Sequence, residues 1–271
     1  MPVRWPWRRG AVARVEPIGS ALWEEALASC RVVRHLDDAG RLRLRSAVDA
    51  FLQRKQVTAA GGLRLTAPMR LEIALQACVP ILELGIDSYD PWIEVIVYPD
   101  EFVVEHRYVD EDGVEHEGLE VRSGESWPGG PVVLSWADID RAGDSLAYNV
   151  VLHEFAHKLD MLDGEADGMP PLHAGMSRDR WRAALEAARE SLEAAVARLE
   201  DRWGDADTPA AQADWAALPL DPYASEDAAE FFACASEAFF ETPRDLQAHW
   251  PEVYRQLAEF YRQDPASGVP V

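Results

Sequence analysis

The spacing of apolar residues changes character twice along the chain. Over Ile18 to Ala28, and again over LRLRSAVDAFLQRK from Leu42 to Lys55, apolar positions recur at helical spacing, with Leu44, Val48, Phe51 and Leu52 on the inward side of the second segment. AAGGLRL interrupts the pattern as a turn or short hairpin. Thr66 to Leu82 reads as a third helix: Thr66 can cap it, Pro68 fits its first turn, RLEIALQACV is buried, and Pro80 ends or bends it. The period then shortens. WIEVIVY, Trp92 to Tyr98, and EFVVEHRYV, Glu101 to Val109, are β-branched and strand-like; DEDG is a turn; VEHEGLEVRSG continues the sheet; and PVVLSW, within Trp127 to Ile139, is a strand behind a Gly-rich turn.

Helical spacing returns from about Ser145 to Met161, with Asp144 or Ser145 as the cap. MLDGEADGMPPL is a loop, Arg178 to Arg202 a long surface helix, and GDADTPAAQADWAALPLDPY irregular. Ser225 to Phe240 is a mostly apolar helix, and Trp250 to Tyr261 a last short one. Helices, then strands, then helices predict an α+β fold with the N-terminal helices packed on the sheet. We expect one domain over residues 1–271, with 1–15 flexible and 255–271 a frayed tail.

Composition narrows the class. A chain of 271 residues, 48% hydrophobic, can bury a core without covalent staples. Cys30, Cys78 and Cys234 are far apart and odd in number, which points to a reducing cytosol rather than a disulfide framework. The N-terminus MPVRWPWRRGAVARVEP is basic, but no apolar run follows it, so it does not read as a secretory signal. ACVPIL and WIEVIVY are too short to span a bilayer. Net charge is -22, unevenly spread: the first 70 residues carry 13 basic and 6 acidic side chains, the other 201 carry 13 and 42. So acidic a body argues against broad nucleic-acid contact. Lys55 and Lys158 are the only lysines, which reads as a compositional bias.

The chemistry concentrates in VLHEFAHKLD, Val151 to Asp160. On a helix, His153 and His157 share a face and can offer ring nitrogens to one cation, while Glu154 lies beside them, in reach of a water on that cation. Val150, Val151, Leu152, Phe155, Ala156 and Leu159 make the surroundings apolar, and two imidazoles and a carboxylate buried there unpaired would be costly. A catalytic zinc takes a third protein ligand and leaves one position open. His106, His116, His173 and His249 show no spacing that makes them that ligand. Glu230 and Glu237, two turns apart on an apolar helix, are better placed; spacing does not choose between them, and the one that is not a ligand can support a ligand histidine. Glu226 lies nearer the exposed end. Asp160 can also support a histidine or stand solvated at the helix end, and Tyr223 can donate to an oxyanion or simply pack.

HEFAHKLDMLDGEADGMPPL and DPYASEDAAEFFACASEAFFETP, with YPDEF, PVVLSWADI and LQACVPILELG ahead of them in order, resemble the Mlc titration factor A family of zinc-dependent peptidases over roughly Phe51 to Pro243. The resemblance implies a zincin-like fold, similar to the catalytic domain of anthrax lethal factor, with a mixed sheet on the metal-binding helix. It implies Zn²⁺ held by His153, His157 and Glu230, Glu154 as general base and Tyr223 as a catalytic tyrosine. It also implies cytoplasmic, aminopeptidase-like action on peptides. The alternative it carries is a regulator that sequesters a glucose-responsive transcriptional repressor of the Mlc type. We further expect the substrate to lie along PVVLSW as an edge strand, and Asp160, Asp163, Glu165 and Asp167 to form an acidic rim that attracts a peptide amino terminus.

Overall fold

A computed structural model describes residues 18–109, 115–122, 124–141, 148–204 and 206–268, with backbone only for 103–109 and 115–122. The expectation of a flexible 1–15 falls outside these residues. Three helices open the fold: α1 (Ser20–Ser29), α2 (Asp38–Arg54) and α3 (Ala67–Cys78). Asp37 caps α2 by accepting from the Gly40 N–H at 2.7 Å, and Thr66 caps α3 by accepting from Met69. The chain leaves the α-helix at Cys78, just before Pro80, whose ring cannot continue it.

A four-stranded sheet runs in the order β1 (Gln56–Ala59), β2 (Glu94–Tyr98), β6 (Val132–Ser135), β5 (Gly124–Ser126). The first three strands are parallel, and β5 is antiparallel to β6 with Glu125 opposite Val133. This corrects the sequence reading twice. The expected turn or hairpin at AAGGLRL is only a turn: β1 pairs in parallel with β2, and connecting parallel strands needs the α3 crossover. And PVVLSW is not an edge, because β6 has neighbours on both sides; the edge facing the metal helix is β5. Strands β3 (Phe102–Val109) and β4 (Glu115–Arg122) form a separate antiparallel ribbon rather than continuing the sheet.

After α4 (Trp136–Arg141) comes α5 (Val150–Asp160), the helix of the HEFAH segment. It begins at Val150, because the Asn149 side chain caps it by accepting from the Leu152 N–H at 3.0 Å. The expected start near Ser145 falls on residues 142–147, outside the described ones. Phe155 anchors the inward side of α5 among Phe51, Tyr89 and Trp92, with ring centroids 5.1–5.8 Å away.

The long α6 (Arg178–Trp203) and α8 (Ala228–Glu241) complete the body. α8 starts three residues later than read, because Asp227 caps it by accepting from the Glu230 N–H. Between them α7 (Pro209–Ala216), capped by Thr208, occupies a segment expected to be irregular. After α9 (Pro243–His249), α10 (Pro251–Tyr261) and α11 (Pro265–Gly268) correct the expectation of a frayed tail over 255–271, as far as residue 268. Leu257 and Tyr261 are fully buried, Gln263 donates to the Val79 carbonyl at 2.8 Å, and Tyr254 donates to Asp264 at 2.6 Å. That burial outweighs the fraying of a chain end. A mixed sheet on the helix that carries His153, Glu154 and His157, with extra N-terminal helices, is a zincin-like α+β arrangement. No helix among the described residues is long and apolar enough to cross a membrane.

Candidate metal centre

The outward face of α5 meets α8 across a cavity of about 750 Å³. His153 and His157, one turn apart, bring their Nε2 atoms to 3.2 Å. Glu230, in the first turn of α8, sets Oε2 3.1 Å from His153 Nε2 and 3.4 Å from His157 Nε2. Three atoms with lone pairs thus converge on one point, and Glu230 Oε2 accepts no hydrogen bond from either ring or from any other described residue. Zinc held tetrahedrally at about 2.0–2.1 Å places its ligands about 3.3 Å apart, close to the three edges found here. Both the geometry and the nitrogen–oxygen donor set fit Zn²⁺.

A second carboxylate of α8 takes the opposite side of the same imidazole. Glu237 is 2% exposed and puts Oε1 2.8 Å from His153 Nδ1, while its Oε2 accepts the backbone N–H of Asn149. This arrangement orients the ring and presents Nε2 outward, the usual support for a metal-ligating histidine. Asn149, the only asparagine in the chain, also donates from Nδ2 to Glu241 Oε1 at 2.8 Å. The start of α5 is therefore fastened to α8 where the metal centre needs it fixed. Sequence reasoning missed Asn149, although an asparagine before an apolar helical run is itself a capping signal.

Cys234, Glu237 and His153 Nδ1 form a second cluster with ligand-like spacing. It is the poorer cation site. Burial pushes the Cys234 thiol up to about 12, so its thiolate is disfavoured, and Glu237 is already shared between His153 and Asn149.

Charge in this site is strongly coupled. Burial would raise the Glu230 carboxyl, but the adjacent imidazoles of His153 and His157 outweigh it and hold Glu230 well below the usual carboxylate range. Burial alone would keep His153 neutral; its partners Cys234, Glu230 and Glu237 instead raise its affinity for a proton. The two carboxylates thus create a demand for positive charge at this point.

Glu154 points to the sheet side. It is 5% exposed, its Oε2 has no hydrogen-bond partner among the described residues, and burial raises its pKa while His153 and His157 pull it back. It lies against β5: a Cβ added to Gly124 would stand 2.7–2.8 Å from Glu154 Cγ and Cδ, so only glycine lets the edge strand come this close. Tyr223 is on a single 3₁₀ turn, Pro222–Ser225, just ahead of α8. Its ring centroid is 6.3 Å from that of His153, it is 39% exposed, and burial followed by the Glu230 charge raises its phenol.

The remaining candidates lie elsewhere. His173 Nε2 hydrogen-bonds the Phe260 carbonyl at 2.8 Å, and His249 Nδ1 the Asp245 carbonyl at 2.9 Å. The side chains of His106 and His116 fall outside the described residues. Asp160 is neither solvated nor on a rim: it is fully buried and accepts the Gly168 N–H at 2.8 Å, which holds the loop after α5. Burial raises its pKa to about 7. His157 Nδ1 has no hydrogen-bond partner among the described residues, so Asp160 does not support that ring directly. Asp163, Glu165 and Asp167 are exposed.

Comparison with known sequences agrees with this geometry. Residues 4–262 match the family described as glucose-regulated metallo-peptidase M90. The chain is 37% identical over 266 residues to Mlc titration factor A of Serratia proteamaculans, covering 97% of this chain and 94% of the relative. It is 36% identical over 268 residues to that of Klebsiella pneumoniae (98% and 94%) and 35% identical over 263 residues to that of Cronobacter sakazakii (97% and 92%).

Proposed function

The chain belongs to the glucose-regulated metallo-peptidase M90 family, and from that premise we propose that it is a zinc-dependent peptidase of the aminopeptidase type, working in the cytoplasm. The observation that carries this reading is the meeting of His153 Nε2, His157 Nε2 and Glu230 Oε2 at 3.1–3.4 Å with Glu154 beside them. His153, His157 and Glu230 are the three side chains that would hold zinc, and a set of three leaves a position open for reaction. Bound there, zinc supplies Lewis acidity for a carbonyl and lowers the pKa of water.

The protein's own groups do the rest. Glu154, whose basicity burial raises and the two imidazoles temper, and whose Oε2 has no hydrogen-bond partner among the described residues, takes a proton from the attacking water and delivers it to the departing amine. Tyr223, on the open side of the cavity, donates its phenol proton to the tetrahedral oxyanion. The peptide backbone pairs with the free edge of β5, which Gly124 holds against Glu154. Trp215, Leu218 and Pro219 give the cavity an apolar wall for a substrate side chain.

A second reading has specific support. The relatives are called Mlc titration factor A, and these names bear more directly on a partner than on exopeptidase action. In this reading the chain binds and sequesters an Mlc-type transcriptional repressor, without touching nucleic acid itself, and peptidase activity is secondary. One experiment separates the two. Amino-acid 4-nitroanilides are offered to the pure protein with and without a chelator, and repressor binding is measured in the same samples. Turnover that vanishes with chelator and returns with Zn²⁺ supports the peptidase. Absent turnover with metal-independent repressor binding leaves only the sequestering role.

A further inference from the structure

A second cavity, of about 460 Å³, is walled by α1, α3 and α4 and by Asn149 and Glu241, and it shares no residue with the cavity over the metal ligands. Its size falls within the range of small-molecule sites, about 300–1,000 Å³. Two buried oxygens on its wall lack donors. Gln76 is 6% exposed and its Oε1 has no hydrogen-bond partner among the described residues. Glu241 Oε2 likewise accepts no hydrogen bond there, although it is ion-paired with the Arg31 guanidinium at 3.5 Å. Buried acceptors left unpaired are costly, so a ligand with N–H donors would relieve both.

Charge points the same way. The wall carries four carboxylates, Glu25, Glu72, Asp140 and Glu241, against two guanidiniums, Arg31 and Arg34. Burial raises the Glu72 carboxyl, and the charge of Asp140 raises it further, so this pole favours a cation. The Arg34 guanidinium in turn can take a carboxylate. Leu22, Leu75 and Ile139 supply an apolar surface between these groups.

We infer that this cavity binds a free α-amino acid with an apolar side chain, whose ammonium answers the buried oxygens of Gln76 and Glu241 while its carboxylate meets the Arg34 guanidinium on the wall. Occupancy bears on the metal centre. Glu241 Oε1 accepts from Asn149 Nδ2, the Asn149 N–H donates to Glu237 Oε2, and Glu237 Oε1 meets His153 Nδ1. An ammonium drawn to Glu241 therefore acts on the hydrogen bonds that orient a metal-binding imidazole. The binding is independent of the peptidase reading; the coupling requires only that His153 hold a metal.

The test is calorimetric titration of the full-length, zinc-loaded protein with L-leucine and with two analogues, 4-methylpentanoate without the ammonium and 3-methylbutylamine without the carboxylate. L-leucine should bind, and each analogue should bind at least about tenfold more weakly, as expected for the loss of a charged hydrogen-bonding group. Gln76→Leu and Glu72→Gln should each weaken L-leucine by at least about tenfold without changing zinc content. In cobalt-substituted protein, L-leucine should shift the visible absorption of the metal, and Gln76→Leu should abolish that shift. No binding, or binding that neither substitution weakens, overturns the site; tight binding with an unmoved cobalt spectrum overturns its coupling to the metal.

Discussion

His157 and Lys158 are neighbours on α5, yet they belong to two buried polar clusters of opposite character. On one side, His153, His157 and Glu230 crowd three acceptors together, and two of their buried atoms, His157 Nδ1 and Glu230 Oε2, have no hydrogen-bond partner among the described residues. On the other, the Lys158 ammonium donates to the carbonyls of Trp127 at 2.6 Å and Gly130 at 2.9 Å, and Lys55 donates to those of Tyr89 and Trp92. Both ammonium groups also sit over the Trp92 ring, at 4.1 Å for Lys55 and 5.4 Å for Lys158. The lysine cluster satisfies its own charge, so it stabilises and positions. The histidine cluster needs something it does not contain, as expected of a site built for a cation. Lys158 also links the two, since it ties the turn between β5 and β6 to the helix that carries Glu154.

Substitutions can break that contrast at graded depth. His157→Ala removes one of three ligands and should abolish both stoichiometric zinc, measured by elemental analysis, and anilide turnover. Glu154→Gln should keep zinc and lower turnover by about 10²–10⁴-fold, the range for a positioned general base. Tyr223→Phe should also keep zinc, and slow the chemical step by about 10²–10³-fold, as for loss of one oxyanion donor. Glu237→Gln, which leaves the three ligands in place and changes the group that supports His153 and the Asn149 N–H, should weaken zinc about 10–100-fold in a chelator competition.

The smallest effect belongs to the lysine cluster. Burial lowers the Lys55 pKa from 10.5 to about 8. The folded chain therefore releases this proton before the unfolded chain does, so Lys55 makes stability rise between about pH 8 and 10.5. Below that window both states are protonated and the contribution is flat. Lys55→Met should remove this rise, read as the difference between variant and parent in denaturant midpoints across the window, and leave zinc affinity unchanged.

The sequence disclosed the histidine cluster more readily than the lysine cluster, for a physical reason. Two histidines at helical spacing with a glutamate between them, in an otherwise apolar segment, form a local pattern. Glu230 and Glu237 could not be separated by spacing, because both face α5; they grip opposite nitrogens of one ring, which only the docking of α8 reveals. Lys55 and Lys158 looked like a compositional accident, since their partners are backbone carbonyls far away in sequence. Helices α2 and α3 were legible from their apolar stripes, and α3 also from its Thr66 cap, whereas the first turn of α2 behind the Asp37 cap was missed. The β5 edge was not: Gly124–Ser126 is three residues long and earns its place through the close approach of Glu154. The C-terminal helices also read as weaker than they are, because the contacts that bury them, such as Gln263 to Val79, span most of the chain.

The claim beneath all of this is that three atoms on α5 and α8 surround one divalent ion. Crystals of the purified, active protein, with anomalous diffraction collected on both sides of the zinc absorption edge, test it directly. The account predicts a single strong zinc peak bonded to His153 Nε2, His157 Nε2 and Glu230 Oε2, each at about 2.0–2.2 Å. A fully active crystal with no peak among those three atoms, or with the ion at Cys234 and Glu237 instead, would contradict it.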